Sequence, residues 1–157
     1  MKEFTSFAAF AAHLERLAVM GHEVTHHIAD KSAEEIQKTA QGMIGDYQPA
    51  VGPYVAWEEL ADSTKAERAR LGFSDNDPGY RSGEMRKSIE RTVQGTEAAV
   101  GSNDQHLVWF DLGTPKQPPR PVLGPAALHS RERVGSYAAK TVFAWLAGRS
   151  LRHPRLK

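Results

Sequence analysis

The chain has 157 residues, 40% of them hydrophobic and 25% charged, which suits one soluble domain able to bury a core without disulfides or a structural metal. Twenty basic against nineteen acidic side chains leave a formal charge of +1, excluding a whole-molecule field that would draw the chain to DNA or to anionic lipid. Cysteine is absent, so thiolate catalysis and a disulfide framework are both excluded.

In chain order, Phe4, Phe7, Ala11, Leu14, Ala18, Gly21, Val24 and Ile28 recur at steps of three and four. That spacing predicts an amphipathic helix continuing past Ile36. Glu3, Glu15 and Arg16 interrupt its apolar residues, so no run of signal or membrane-spanning length is expected, and the chain reads as made in the cytosol with no membrane partner. Gly42, Gly45, Pro49, Gly52 and Pro53 then end regular structure in a loop.

Thr64 and Glu67 have capping-box spacing, predicting a short helix to about Leu71 closed by Gly72. After the turn cluster Asn76-Asp77-Pro78-Gly79, Ser82 is placed to cap a brief helical turn through Arg86. From Ser88 the period becomes two: Ile89, Arg91 and Val93 share one face and Glu90 and Thr92 the other. Gly95-Thr96 suits a turn, and Glu97 to Gly101 returns as the second arm of a hairpin. Leu107 to Leu112 is apolar and aromatic, and its pattern fits strand or helix.

Five prolines and two glycines between Leu112 and Ala126 predict a stiff, extended arm or edge. Val134, Tyr137, Ala138, Thr141, Val142, Trp145 and Leu146 return to helical spacing, with an end at Gly148. Residues 149–157 form a basic tail in which Arg149, Arg152, Arg155 and Lys157 are read either as phosphate or carboxylate contacts or as a frayed, solvated end. The expected fold is therefore one α+β domain over 1–157: a long N-terminal helix, a small hairpin-based sheet, a proline-rich arm and a C-terminal helix packed on the sheet.

His22-Glu23-Val24-Thr25-His26 matches the His-Glu-x-x-His pattern of zinc hydrolases, in which histidines one turn apart hold the metal and the glutamate is a general base. No metzincin-type third histidine follows, and Glu58 and Glu59 are the only tempting further donors. The plainer reading is a surface helix with His22 at the edge of the apolar stripe and Glu23 and His27 toward its polar side. His106 and His129 lack ligand spacing, and neither a Gly-x-Ser-x-Gly elbow nor a phosphate-binding glycine loop occurs.

Two groups of segments carry a resemblance. The first is Asp62-Ser63-Thr64, Arg68 to Gly72 and Tyr80-Arg81-Ser82-Gly83-Glu84-Met85-Arg86-Lys87-Ser88-Ile89. The second is Trp109-Phe110-Asp111-Leu112-Gly113-Thr114 followed by Pro118-Pro119-Arg120-Pro121-Val122-Leu123-Gly124-Pro125-Ala126. In order and spacing they resemble the phage tail-completion proteins, including the virion morphogenesis proteins of Mu-like phages, over roughly Trp57 to Ala127. The sequence departs at Gly79-Tyr80, where relatives often carry leucines.

The resemblance implies an α+β subunit that forms a ring, commonly of six, on the last tail-tube ring and meets the head connector. It implies no catalytic residue and no cofactor. The implied location is the virion's head–tail junction, with DNA passing through the ring without specific binding. The residues it singles out are Arg81, Gly83, Arg86, Phe110, Gly113, Thr114, Pro119, Arg120 and Pro121. For Arg81, Arg86 and Arg120 two roles stay open: pairing with carboxylates across subunits, or holding their own loops by bonding to carbonyls.

Overall fold

The computed structural model describes residues 3–149. In order, the elements are α1 (Phe7–Met43), α2 (Asp62–Arg70), α3 (Glu84–Lys87), β1 (Ile89–Gln94), β2 (Glu97–Ser102), α4 (Gln105–Leu112) and α5 (Leu123–Leu146). The two strands pair as an antiparallel hairpin, so the fold is α+β as expected. By internal contacts the chain divides into two compact units. One holds the residues up to Ala33, Thr92–Ala99 and the chain from Arg131 onward; the other holds Glu34–Arg91 and Val100–Ser130.

In the first unit α1 and α5 meet along a narrow seam. His13 Nε2 lies 3.1 Å from the Leu146 carbonyl, the Trp145 ring covers Gly21, and Tyr137 Oη lies 2.7 Å from His27 Nε2. Val24 and the small-polar Thr141 are both buried, Thr141 returning its hydroxyl to the Tyr137 carbonyl at 2.9 Å. The broad stripe expected of α1 is therefore corrected: Val24 is buried, but Phe7, Leu14 and Ala18 are exposed, and the polar His13 is buried instead. One partner helix covers only a few positions per pair of turns, so the apolar flank beyond that line stays outside.

The second unit contains the apolar core. Ala40, Met43 and Ile44 at the end of α1 join Trp57, Ile89, Leu107, Phe110, Val122 and Ala126, with Val100 and Leu123 packed against them. The first turns of α5, through Leu123 and Ala126, thus share one core with Ile89 and Val100 of the hairpin. Side-chain amides of Gln37 and Gln41 both donate to the Ile89 carbonyl, at 2.8 and 3.1 Å, fixing β1 to α1.

Helix ends follow local chemistry, though not always at the expected residues. Thr64 is not an N-cap: α2 begins two residues earlier, after Ala61, with no side-chain cap and with Asp62 in its first turn facing the helix's positive end. Its other end is closed as expected, by Gly72 at φ +77° with Phe73 N donating to Arg68 O and Gly72 N to Ala69 O. Ser82 receives the Glu84 amide at 3.4 Å, while left-handed Gly83 is the residue that precedes α3. The segment open to both readings, Leu107 to Leu112, is helical, because Asp104 caps it by accepting from His106 N at 2.9 Å.

The proline arm needs a larger correction. It begins with a tight turn at Pro115-Lys116, runs irregularly to Val122, and Leu123-Gly124-Pro125-Ala126 is the first turn of α5. Proline is tolerated there because the first amides of a helix have no internal acceptor. The orphan amides of Val122 and Leu123 are taken by Asp111 Oδ1, at 2.6 and 3.1 Å, so α4 supplies the cap of α5. Nor is the arm free: Arg120, Pro121 and Val122 are all buried. The basic tail expected beyond Gly148 falls largely on residues 150–157, outside the described ones.

Gly113, at φ +79° and ψ 175°, occupies backbone space open essentially to glycine alone, and a Cβ there would stand 2.8 Å from Pro119 N. Gly135, inside α5, faces open space. Gly113→Ala should therefore cost about 3 kcal/mol or more, whereas Gly135→Ala should stabilise by about 0.5–1 kcal/mol. Urea unfolding midpoints of the two variants test this; equal shifts would contradict it.

Candidate functional site

Within the second unit, α2, the α3 segment and the α4–α5 connection enclose a cleft of ≈ 650 Å³. Its lining includes Arg81, Gly83, Trp109, Phe110, Pro118 and Arg120, so residues from both groups of resembling segments meet on one surface. That meeting depends on buried guanidinium groups. Arg120 is 3% exposed; its Nε and Nη2 donate to the Glu58 carbonyl at 3.1 and 2.8 Å, and Nη2 also reaches Glu59 O at 3.2 Å. Its amide donates to Phe110 O at 2.8 Å, and its guanidinium stands 5.8 Å from the Phe110 ring centre.

Burial lowers the Arg120 pKa from its usual value, but a guanidinium remains a cation throughout the physiological range. Arg68 repeats the device: Nη1 donates to Asp77 O at 2.9 Å and Nη2 to Tyr80 O, holding the loop before α3. Between these two pins Trp57 packs edge-on against Phe110, ring centres 5.2 Å apart, and donates Nε1–H to Pro121 O at 3.0 Å.

The other residues of the resemblance divide into support and surface. Gly113 lets the chain turn against Pro119, Thr114 and Gln117 close a small bridge with mutual backbone bonds of 2.8 and 3.1 Å, and Pro121 is the acceptor for Trp57. Gly83 is left-handed and packed under the Tyr80 ring. Arg81 is at the surface, 3.6 Å from Glu67 and 5.0 Å from the Phe73 ring centre. Arg86 is exposed on α3 and does not line the cleft.

Three contributors have no signal in spacing: Asp111, which caps α5, Trp57, and Arg68 as a loop clamp. A buried arginine is legible only once two carbonyl-rich turns are known to face it.

The cleft carries mixed chemistry. Asp104 holds its carboxyl below the usual carboxylate range because the backbone amide and imidazole of His106 donate to it, the latter at 2.9 Å. The His106 ring in turn meets Trp109 edge-on at 5.5 Å. This pairing caps α4, and Ser102 Oγ accepts from the Asp104 amide at 2.9 Å. His22 and His26 are elsewhere, exposed on α1 in the first unit, with His22 near the hairpin turn at Gly95. Among the described residues no group of three His, Cys, Asp or Glu side chains is arranged to hold a metal ion. No helix among them is long and apolar enough to cross a membrane.

No family model, curated protein or solved structure matches this chain.

Arg120→Met would remove the buried charged donor bonded to the Glu58 and Glu59 carbonyls and should cost about 2–4 kcal/mol. Arg81→Met removes a loose, solvated pair and an exposed ring contact and should change stability by about 1 kcal/mol or less. Thermal unfolding of the two variants separates them, and similar losses would show that Arg120 is not the pin described.

Proposed function

We propose that this chain is a non-enzymatic assembly protein of a tailed phage. In this reading it is a tail-completion or tail-terminator subunit that forms a ring, of about six copies as in the resembled family, between tail tube and head connector. The observation that carries the reading is the meeting of the two resembling segments around one cleft. Residues far apart in sequence there serve to build a surface: Arg120, Gly113, Pro121 and Trp57 support it, and Arg81, Trp109 and Pro118 line it.

Three features are consistent with assembly. Large apolar side chains stand outside on both units, including Phe7 at 85% and Leu112 at 72% exposure. The near-neutral charge suits a ring through which DNA passes without specific binding. The arrangement offers carbonyl-clamped loops beside an open cleft.

Deleting the gene from its phage or prophage and imaging the particles by electron microscopy tests the reading. Separate DNA-filled heads and tails are expected if the protein joins them, and tails of uncontrolled length if it terminates growth. Normal infectious particles would overturn the proposal. Zinc at about one per chain, with an activity lost in His22→Ala, would replace it with a metal-dependent hydrolase.

A further inference from the structure

An eight-residue helix at a protein surface ordinarily has one apolar and one polar face. α4, Gln-His-Leu-Val-Trp-Phe-Asp-Leu, does not: Leu107 and Phe110 enter the core, while Val108, Trp109 and Leu112 face outward at 41%, 48% and 72% exposure. No charged residue lies between Leu107 and Phe110, and Trp109 continues this apolar face into the cleft beside it.

The chain carries a second surface of the same kind. On α1, Phe7, Phe10 and Leu14 follow one another at steps of three and four and are 85%, 39% and 48% exposed. From Phe7 to Ala12 there is no charge, and alanines fill the positions between the two phenylalanines, so the helix presents a slim apolar flank. That is the shape and chemistry of an amphipathic helix that docks in an apolar groove.

We propose that the Phe7–Phe10–Leu14 flank of one copy docks on the Val108–Trp109–Leu112 face and adjoining cleft of the next copy. The inference deepens the self-assembly reading above and rests on it. The occupant is a second copy because pairing either face with itself would leave the other one in water, whereas pairing the two covers both. Pairing two different faces is heterologous, so each subunit gives one and receives one, and a closed ring leaves neither exposed. The centres of both patches lack charge, as the centres of stable interfaces do, while Arg81 and Lys116 at the cleft and Glu15 and Arg16 beside Leu14 provide polar rims.

Because the chain has no cysteine, disulfide mapping reads the contact without background. Phe7→Cys and Leu112→Cys proteins, prepared separately, mixed and oxidised, should give a covalent dimer that neither gives alone. The double variant should give a ladder of covalent multimers. Val19→Cys, 81% exposed on another face of α1, should give no product with Leu112→Cys. Phe7→Glu and Leu112→Glu should each weaken self-association at least tenfold in sedimentation, with helical circular dichroism unchanged because both side chains lie outside the core.

A wild-type chain that stays monomeric overturns the inference, and so does a Phe7→Cys dimer formed as readily without its partner. If the chain multimerises but the mixed disulfide is absent, the pairing is wrong while the ring reading stands. That reading is judged separately by the particles made without the gene.

Discussion

A guanidinium taken out of water and given no carboxylate is among the more costly things a small protein can bury, and the second unit of this chain does so at Arg120 and again at Arg68. Carbonyl oxygens of irregular segments compensate Arg120 through Glu58 and Glu59, and Arg68 in part through Asp77 and Tyr80, its buried Nε having no partner. The exchange is favourable because those carbonyls lie outside any helix or strand and would otherwise need donors of their own. Arginine suits the task, since its planar fork reaches two acceptors at once. Everything built around the cleft depends on this. The clamps act together with Trp57, which donates to Pro121 O, and with Tyr47, whose hydroxyl accepts from Leu60 N and donates to Asn76 Oδ1, so the segments before α2 and before α3 are each held at more than one point.

The same economy explains how a two-stranded sheet survives. A lone hairpin is marginal in water. Here β1 is tied to α1 through two glutamine side chains on one carbonyl, and Ile89, fully buried, places the hairpin's root in the core. Asp111 then couples α4 to α5 by capping amides eleven and twelve residues away. Polar bonds between elements, not long ladders within them, set the positions of the short pieces.

Much of this architecture is legible in the sequence where periodicity and punctuation agree. The hairpin reads cleanly because Ile89, Arg91 and Val93 alternate and Gly95 permits the turn; the ends of α2 and α5 read because Gly72 and Gly148 take positive φ. Legibility fails where tertiary partners decide. The Thr64 spacing fits a capping box, yet the helix starts at Asp62, because a cap is a property of where the chain bends and not of the residue pair alone. α5 begins eleven residues before Val134, since Pro125 is harmless in a first turn and Asp111 supplies the missing acceptor. His13 lies outside the apolar stripe read from the sequence and is buried all the same, with its Nε2 3.1 Å from the Leu146 carbonyl. Arg120 bonds to the Glu58 and Glu59 carbonyls of its own chain, contacts that no local pattern announces.

The faults in the expected apolar stripe and the odd composition of α4 have one physical reading. A helix stripe is assigned from sequence on the assumption that every apolar face is covered by the same chain. In α1 the flank with Phe7 and Leu14 is not covered, and in α4 both faces are apolar although only one enters the core. Exposed single apolar residues are ordinary on any protein. Two organised helical flanks, each uncharged at its centre and each on a different unit, are not ordinary, because each leaves water against surface that costs about 25 cal/mol per Å² to keep wet. Clamping the loops with buried arginines keeps the α4 face and the cleft in shape before anything docks, which lowers the ordering cost of association. Under the proposed self-assembly, the clamped interior and the wet exterior are two halves of one design: a chain that folds by itself and covers its remaining apolar flanks against another copy.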